Sequence, residues 1–184
     1  DAVFLCIGHS ARDTMLSLMN QNVTLEPKPF SVGVRIEHLR KNIDSALYGD
    51  FAGCDSLGAA SYTLSAKFDN RAVYSFCMCP GGVVVASASS DGQIVTNGMS
   101  YFARDGVNSN SAIAVSVNTS DYGNTVTGAI EFQENIERKA YSICGGDGTA
   151  PIQLVGDFLY EKLSNEPSCV LPTYTGRTML KECD

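Results

Sequence analysis

The chain has 184 residues, 44% of them hydrophobic, and a net charge of −7. That is enough apolar material for a real core. The acidic balance and the lack of a basic run exclude a nucleic-acid surface, and no apolar run reaches the length of a membrane span. No signal-peptide pattern is present. Seven cysteines at irregular spacings are odd in number, unlike a secreted disulfide framework, so a reduced, cytoplasmic protein is expected. The matches at Asn22 and Asn118 to the glycosylation pattern are short enough to arise by chance.

Residues 2–7 form a continuous apolar run that predicts a strand buried on both faces. Gly8, His9 and Ser10 follow, then a helix to about residue 21 with Ser10 as its N-cap. Strand, turn and capped helix make a fragment of a parallel α/β unit. The sequence beyond does not repeat that pattern, so the chain reads as cut from a larger protein. Pro27 and Pro29 mark a stiff boundary. A strand over 30–38, a helix over 39–48, a glycine-rich loop over 51–60 and an alternating strand over 61–68 come next.

Residues 73–106 are the centre of the reading. Tyr74, Phe76 and Met78 alternate with Ser75, Cys77 and Cys79. Pro80, Gly81 and Gly82 turn the chain, the valines at 83–85 return it, and Asp91-Gly92 turns it again. A three-strand meander is therefore expected. It ends in a polar loop, 97–105, that exposes Asn97, Ser100, Tyr101, Arg104 and Asp105. A polar tract at 108–111 precedes a short strand at 112–117. Helices are expected over 128–143 and 151–163, and the tail over 164–184, with Pro167, Pro172 and Gly176, shows no periodic pattern. The fold class is α+β: an antiparallel meander, as a curved sheet or partial barrel, with packed helices and a remnant strand–helix at the start.

Cys77 and Cys79 would share a strand face about 6.5–7 Å apart, at or beyond the edge of disulfide geometry. With only His9 and His38 as histidines and no second close cysteine pair, no metal site is expected. Arg35, Glu37 and His38 either line a polar pocket or form an exposed strand face. Arg104 either forks onto an anionic ligand or pairs locally. His9-Ser10 lacks a nucleophile elbow, and no Gly-x-Gly-x-x-Gly or Walker sequence occurs.

Several blocks in one order carry a resemblance. They are Gly8-His9-Ser10-Ala11-Arg12-Asp13-Thr14; Pro27-Lys28-Pro29-Phe30-Ser31-Val32-Gly33-Val34-Arg35-Ile36-Glu37-His38; and Phe76-Cys77-Met78-Cys79-Pro80-Gly81-Gly82. Thr96-Asn97-Gly98-Met99-Ser100-Tyr101, Ala103-Arg104-Asp105-Gly106 and Ala150-Pro151-Ile152-Gln153-Leu154-Val155-Gly156-Asp157-Phe158 complete the set. The sequence resembles the bacterial FAD-dependent dehydrogenases, the NAD(FAD)-utilising flavoproteins, over nearly its whole length.

The resemblance implies a middle segment. Residues 1–26 would end a truncated FAD-binding α/β domain, 27–163 would be the inserted domain that caps the flavin, and 164–184 an irregular tail. It implies FAD in the intact protein, with Gly8, His9 and Ser10 on the cofactor side. It implies none bound to this chain alone, which lacks the glycine fingerprint and is not expected to turn over by itself. Arg35, Cys77, Cys79, Asn97, Ser100, Arg104 and Asp105 are the candidates that face substrate or flavin. The implied partners are the rest of the flavoprotein chain and a small-molecule substrate, with neither nucleic acid nor membrane. The rival reading is a non-catalytic interaction module that uses the 97–105 loop.

Overall fold

The computed structural model describes residues 2–166 and 169–181. Its centre is a four-stranded antiparallel sheet in the order β1-β6-β3-β2, built from β1 (Phe30–Leu39), β2 (Ser65–Phe68), β3 (Arg71–Cys79) and β6 (Asn108–Val117). Val32, Val34 and Ile36 alternate with Gly33, Arg35 and Glu37 along β1, as the period of two requires. β4 (Gly82–Ser87) and β5 (Val95–Ser100) form a separate antiparallel pair. β7 (Ala150–Ile152) and β8 (Thr178–Leu180) form a short parallel pair. The helices are α1 (Arg12–Asn20), α2 (Arg40–Tyr48), α3 (Thr119–Tyr122), α4 (Val126–Ile143) and α5 (Val155–Leu159). The fold is α+β, and among the described residues no sheet closes into a barrel.

α4 begins where Thr125 Oγ1 accepts from the Gly128 amide at 3.0 Å, the bond an N-cap hydroxyl makes to an otherwise unpaired helix donor. α3 carries a full capping box from Asn118 and Asp121. Phe30, Tyr122 and Phe132 cluster with centroids 5.1–6.2 Å apart, Phe30 stacked on Tyr122 and edge-on to Phe132, closing one end of the sheet against α3 and α4.

Five local expectations are corrected. Residues 2–7 form no strand, and Val3 and Phe4 are 92% and 88% exposed. A strand of this kind needs parallel neighbours, and none of the described strands pairs with it. Ser10 does not cap α1: Ala11 is at the N-cap, without a side-chain bond. The alternating strand is ordered as β2 only from Ser65, because Met78 Sδ and Ser75 Oγ take the amides of Tyr62 and Leu64.

The meander is split. Gly81, at φ +55°, donates its amide to Ser109 Oγ and its carbonyl accepts from Gly106, so the turn directs β4 away from β3. The space beside β3 goes to β6. The helix expected over 151–163 is instead β7 and the five-residue α5; Ser164 Oγ accepts the Leu154 amide and bonds Asp157.

The tail is more ordered than its composition indicates. Thr173 Oγ1 and Thr175 Oγ1 accept the amides of Val84 and Ala86, and β8 joins β7. Pro167 lies outside the described residues.

Candidate functional site

The ladder register places Arg35, Ala112 and Phe76 in one cross-strand row, and Gly33, Ala114 and Tyr74 in the next. The floor of this face is made of Gly33, Ala112 and Ala114. A Cβ on Gly33 would overlap the Ile113 carbonyl, so β1 and β6 approach closely there. Phe76 stands over the floor 60% exposed. Tyr74 borders it, its hydroxyl donating to Ser31 Oγ at 2.8 Å.

Arg35 is the cation of this face. Its Nη1 donates to Asn110 Oδ1 at 2.6 Å and to the Cys77 carbonyl at 3.3 Å. Its Nε and Nη2 have no hydrogen-bond partner among the described residues. The fork is thus anchored on one prong and open on the rest. Asn110 is fully buried, and its Nδ2 likewise has no partner among the described residues. Gly98 of β5 crosses directly above this bond; a Cβ there would overlap both Arg35 Nη1 and Asn110 Oδ1.

Cys77 adjoins the same guanidinium. A bulge puts Cys77 and Met78 opposite Ser111 alone, between the Phe76–Ala112 and Cys79–Asn110 pairs. Cys77 has φ +45°, a conformation that L-residues rarely adopt and that clusters at functional sites. The bulge overturns the regular same-face arrangement expected of the two cysteines. Cys77 is exposed, Cys79 is buried, and both are free thiols.

The remaining candidates are dispersed. Asn97 and Ser100 belong to strand β5, so the expected 97–105 loop shrinks to the turn after it. Asn97 accepts from the Gly98 amide, and Ser100 Oγ donates to the Pro80 carbonyl at 2.8 Å. Arg104 and Asp105 are exposed in the turn, with Arg104 at φ +52°. His9 lies elsewhere, its Nε2 3.1 Å from Glu137 Oε1 and 2.8 Å from Arg12 Nη2. Arg12 is 2.5 Å from the same carboxylate oxygen and 3.3 Å from Gln93 Oε1. Ser10 is exposed and Gly8 turns at φ +74°. Among the described residues no group of three or more metal-ligating side chains forms, and no helix is long and apolar enough to cross a membrane.

On the opposite face of the sheet the His38 ring lies tilted against Tyr62 at 5.5 Å, with Tyr62 Oη 3.4 Å from Nε2. Burial lowers the His38 pKa, the Glu37 charge opposing it, and burial raises that of Tyr62. Glu37 itself turns to the tail, accepting from the Thr173 amide and hydroxyl and from Asn108 Nδ2. The polar pocket considered for Arg35, Glu37 and His38 does not form as one unit. Asn110, Gly98 and Glu137 are the important residues that sequence reasoning missed; an asparagine inside a polar tract and a glycine inside a strand carry no local signal of their partners.

Residues 29–184 match the model of a family described as "FAD-dependent protein, C-terminal domain-like". The chain belongs to this family. A protein of Clostridium beijerinckii, bearing the name "Uncharacterized protein", is 46% identical over 189 residues. The match takes in 100% of this chain and 36% of that relative, so the chain spans about a third of its length. The domain is thus that of an FAD-dependent protein.

The donor set on the Arg35 face fits a flavin. A small-residue floor would admit a flat ring, Phe76 would offer an aromatic edge, and the open guanidinium prongs would take a carbonyl oxygen.

Proposed function

We propose that the chain caps the flavin of an FAD-dependent dehydrogenase and positions a small-molecule substrate for hydride transfer. The observation that carries this is the half-used Arg35 fork at the edge of an open, small-residue sheet face. In this reading residues 27–163 are the cap, 1–26 the end of the flavin domain and 164–184 the tail that ties the cap together. The protein works in the reducing cytoplasm, and its partners are the rest of the flavoprotein chain and the substrate.

The cofactor, when bound, supplies the hydride chemistry. The chain's own residues do the rest. Arg35 holds an oxygen of ring or substrate, and Asn110 and the Cys77 carbonyl fix the fork so that it need not reorganise.

The test is Arg35→Ala in the full-length protein, with flavin reduction and melting followed together. Losing a charge-assisted bond worth roughly 1.5–3 kcal/mol slows reduction by about tenfold or more. Unchanged kinetics would remove Arg35 from the site.

The fully exposed Phe102, at the turn after β5, supports the interaction-module reading. Phe102→Ser that weakens a partner complex while flavin reduction is untouched would favour it.

A further inference from the structure

Cys77 and Cys79 are brought out of regular strand geometry by the bulge that opposes Cys77 and Met78 to Ser111. In an unbroken strand their separation would be about 6.5–7 Å, too long for easy closure. Here the Cys79 thiol points back along the chain, with Sγ 3.3 Å from the carbonyl oxygen of Cys77. The left-handed φ of Cys77 reorients its side chain relative to the pleat. Cys77 is an exposed residue and Cys79 a buried one, the asymmetry of an attacking and a resolving cysteine. Arg35 bonds the Cys77 carbonyl and leaves two prongs open beside it.

We propose that Cys77 and Cys79 form a dithiol–disulfide couple that exchanges two electrons with the flavin of the intact protein. This rests on the reading of the Arg35 face as flavin-facing. In the oxidising direction both S–H bonds break and one S–S bond forms. Two electrons and two protons pass to the oxidised isoalloxazine ring, which becomes its dihydro form. The reverse step restores both thiols.

Two measurements on the full-length protein test the proposal. First, the protein is equilibrated in glutathione redox buffers, free thiols are alkylated, and peptides are weighed. An internal Cys77–Cys79 disulfide is expected to appear in a single two-electron transition, with Cys54 and Cys144 still alkylated. Glutathione carried on Cys77 with no internal bond would overturn the couple.

Second, oxidised protein is titrated anaerobically with dithionite while flavin absorbance is read. Uptake of about four electrons per flavin is expected, falling to about two in Cys77→Ser and in Cys79→Ser, because the couple carries two electrons. An internal disulfide with only two electrons taken up by the unsubstituted protein would overturn the exchange and leave the Arg35 reading standing. A protein that holds no flavin would overturn both.

Discussion

Glu137→Gln tests whether the N-terminal segment is fastened to α4 by a buried charge. Arg12 of α1 and Glu137 of α4 lie 2.5 Å apart with side chains only 6% and 8% exposed. Around them stand His9 and Gln93, while Arg12 Nε has no partner among the described residues. The substitution keeps the shape and one acceptor but removes the one carboxylate bonded to that guanidinium among the described residues. Breaking a buried pair from one side costs about 3–5 kcal/mol, because the remaining charge has already lost its water. A domain of this size shifts by about 2–4 °C per kcal/mol, so melting should fall by about 6–20 °C. Thermal unfolding followed by circular dichroism reads this directly. Arg12→Met combined with Glu137→Leu leaves no stranded charge and should recover much of the loss, since replacing both partners by apolar groups is often neutral or better. The Glu137 carbonyl still accepts from the Ile94 amide in every variant, so that backbone tie is constant. A fall below about 2 °C for Glu137→Gln, or a double variant whose loss equals the sum of the single ones, would refute the buried-charge argument.

Arg104→Ala in the full-length protein should change stability by less than about 0.5 kcal/mol, because the side chain is exposed in its turn. Flavin reduction should fall about tenfold if Arg104 holds an anionic group; a large melting shift with unchanged kinetics would make it a structural pin. Asp121 titrates at about 2 rather than 3.8, chiefly because Arg71 hydrogen-bonds its carboxylate, with help from the Asn118 amide. A depressed carboxylate contributes stability that is present above the unfolded pKa and disappears as pH falls through the folded one. The stability curve should therefore steepen between about pH 4 and pH 2, and Asp121→Asn should flatten that window; an unchanged acid limb would show that the pair contributes nothing there.

Where neighbouring residues set the structure, the sequence was readable. β1 and α4 follow the two periodicities within a residue or two. The site depends on partners far away in the chain. Asn108, Ser109, Asn110 and Ser111 look like a solvated loop, yet they begin the central strand and are the most deeply buried polar run. Their side chains are matched by Glu37, Gly81, Arg35 and the Phe76 carbonyl, none of which a local window contains. The bulge was invisible for a related reason. Cys77 takes a left-handed conformation without being glycine, so no residue type announced it, and the expected common face of Cys77 and Cys79 did not survive. The Arg35–Cys77 contact joins two of the candidate residues; Asn97, Ser100, Arg104 and Asp105 are near in sequence but are spread between a strand and its turn.

The buried polar run explains how a small domain can hold an open cation still. Asn108 binds Glu37 and the Leu171 carbonyl, Ser109 takes the Gly81 amide, Asn110 takes Arg35, and Ser111 bonds the Phe76 carbonyl. Four successive residues of one strand thus fix the tail, the turn into β4, the fork and the bulged strand. An apolar run would bury as readily but would leave each of these groups unpaired. The cost of a buried polar group without a bond, about 1–3 kcal/mol, therefore acts against every alternative register. A strand slipped by one residue would also turn Asn110 to the other face and release Arg35. The position of the fork is consequently a property of the β6 register, so its geometry is set when the sheet forms and does not wait for a ligand.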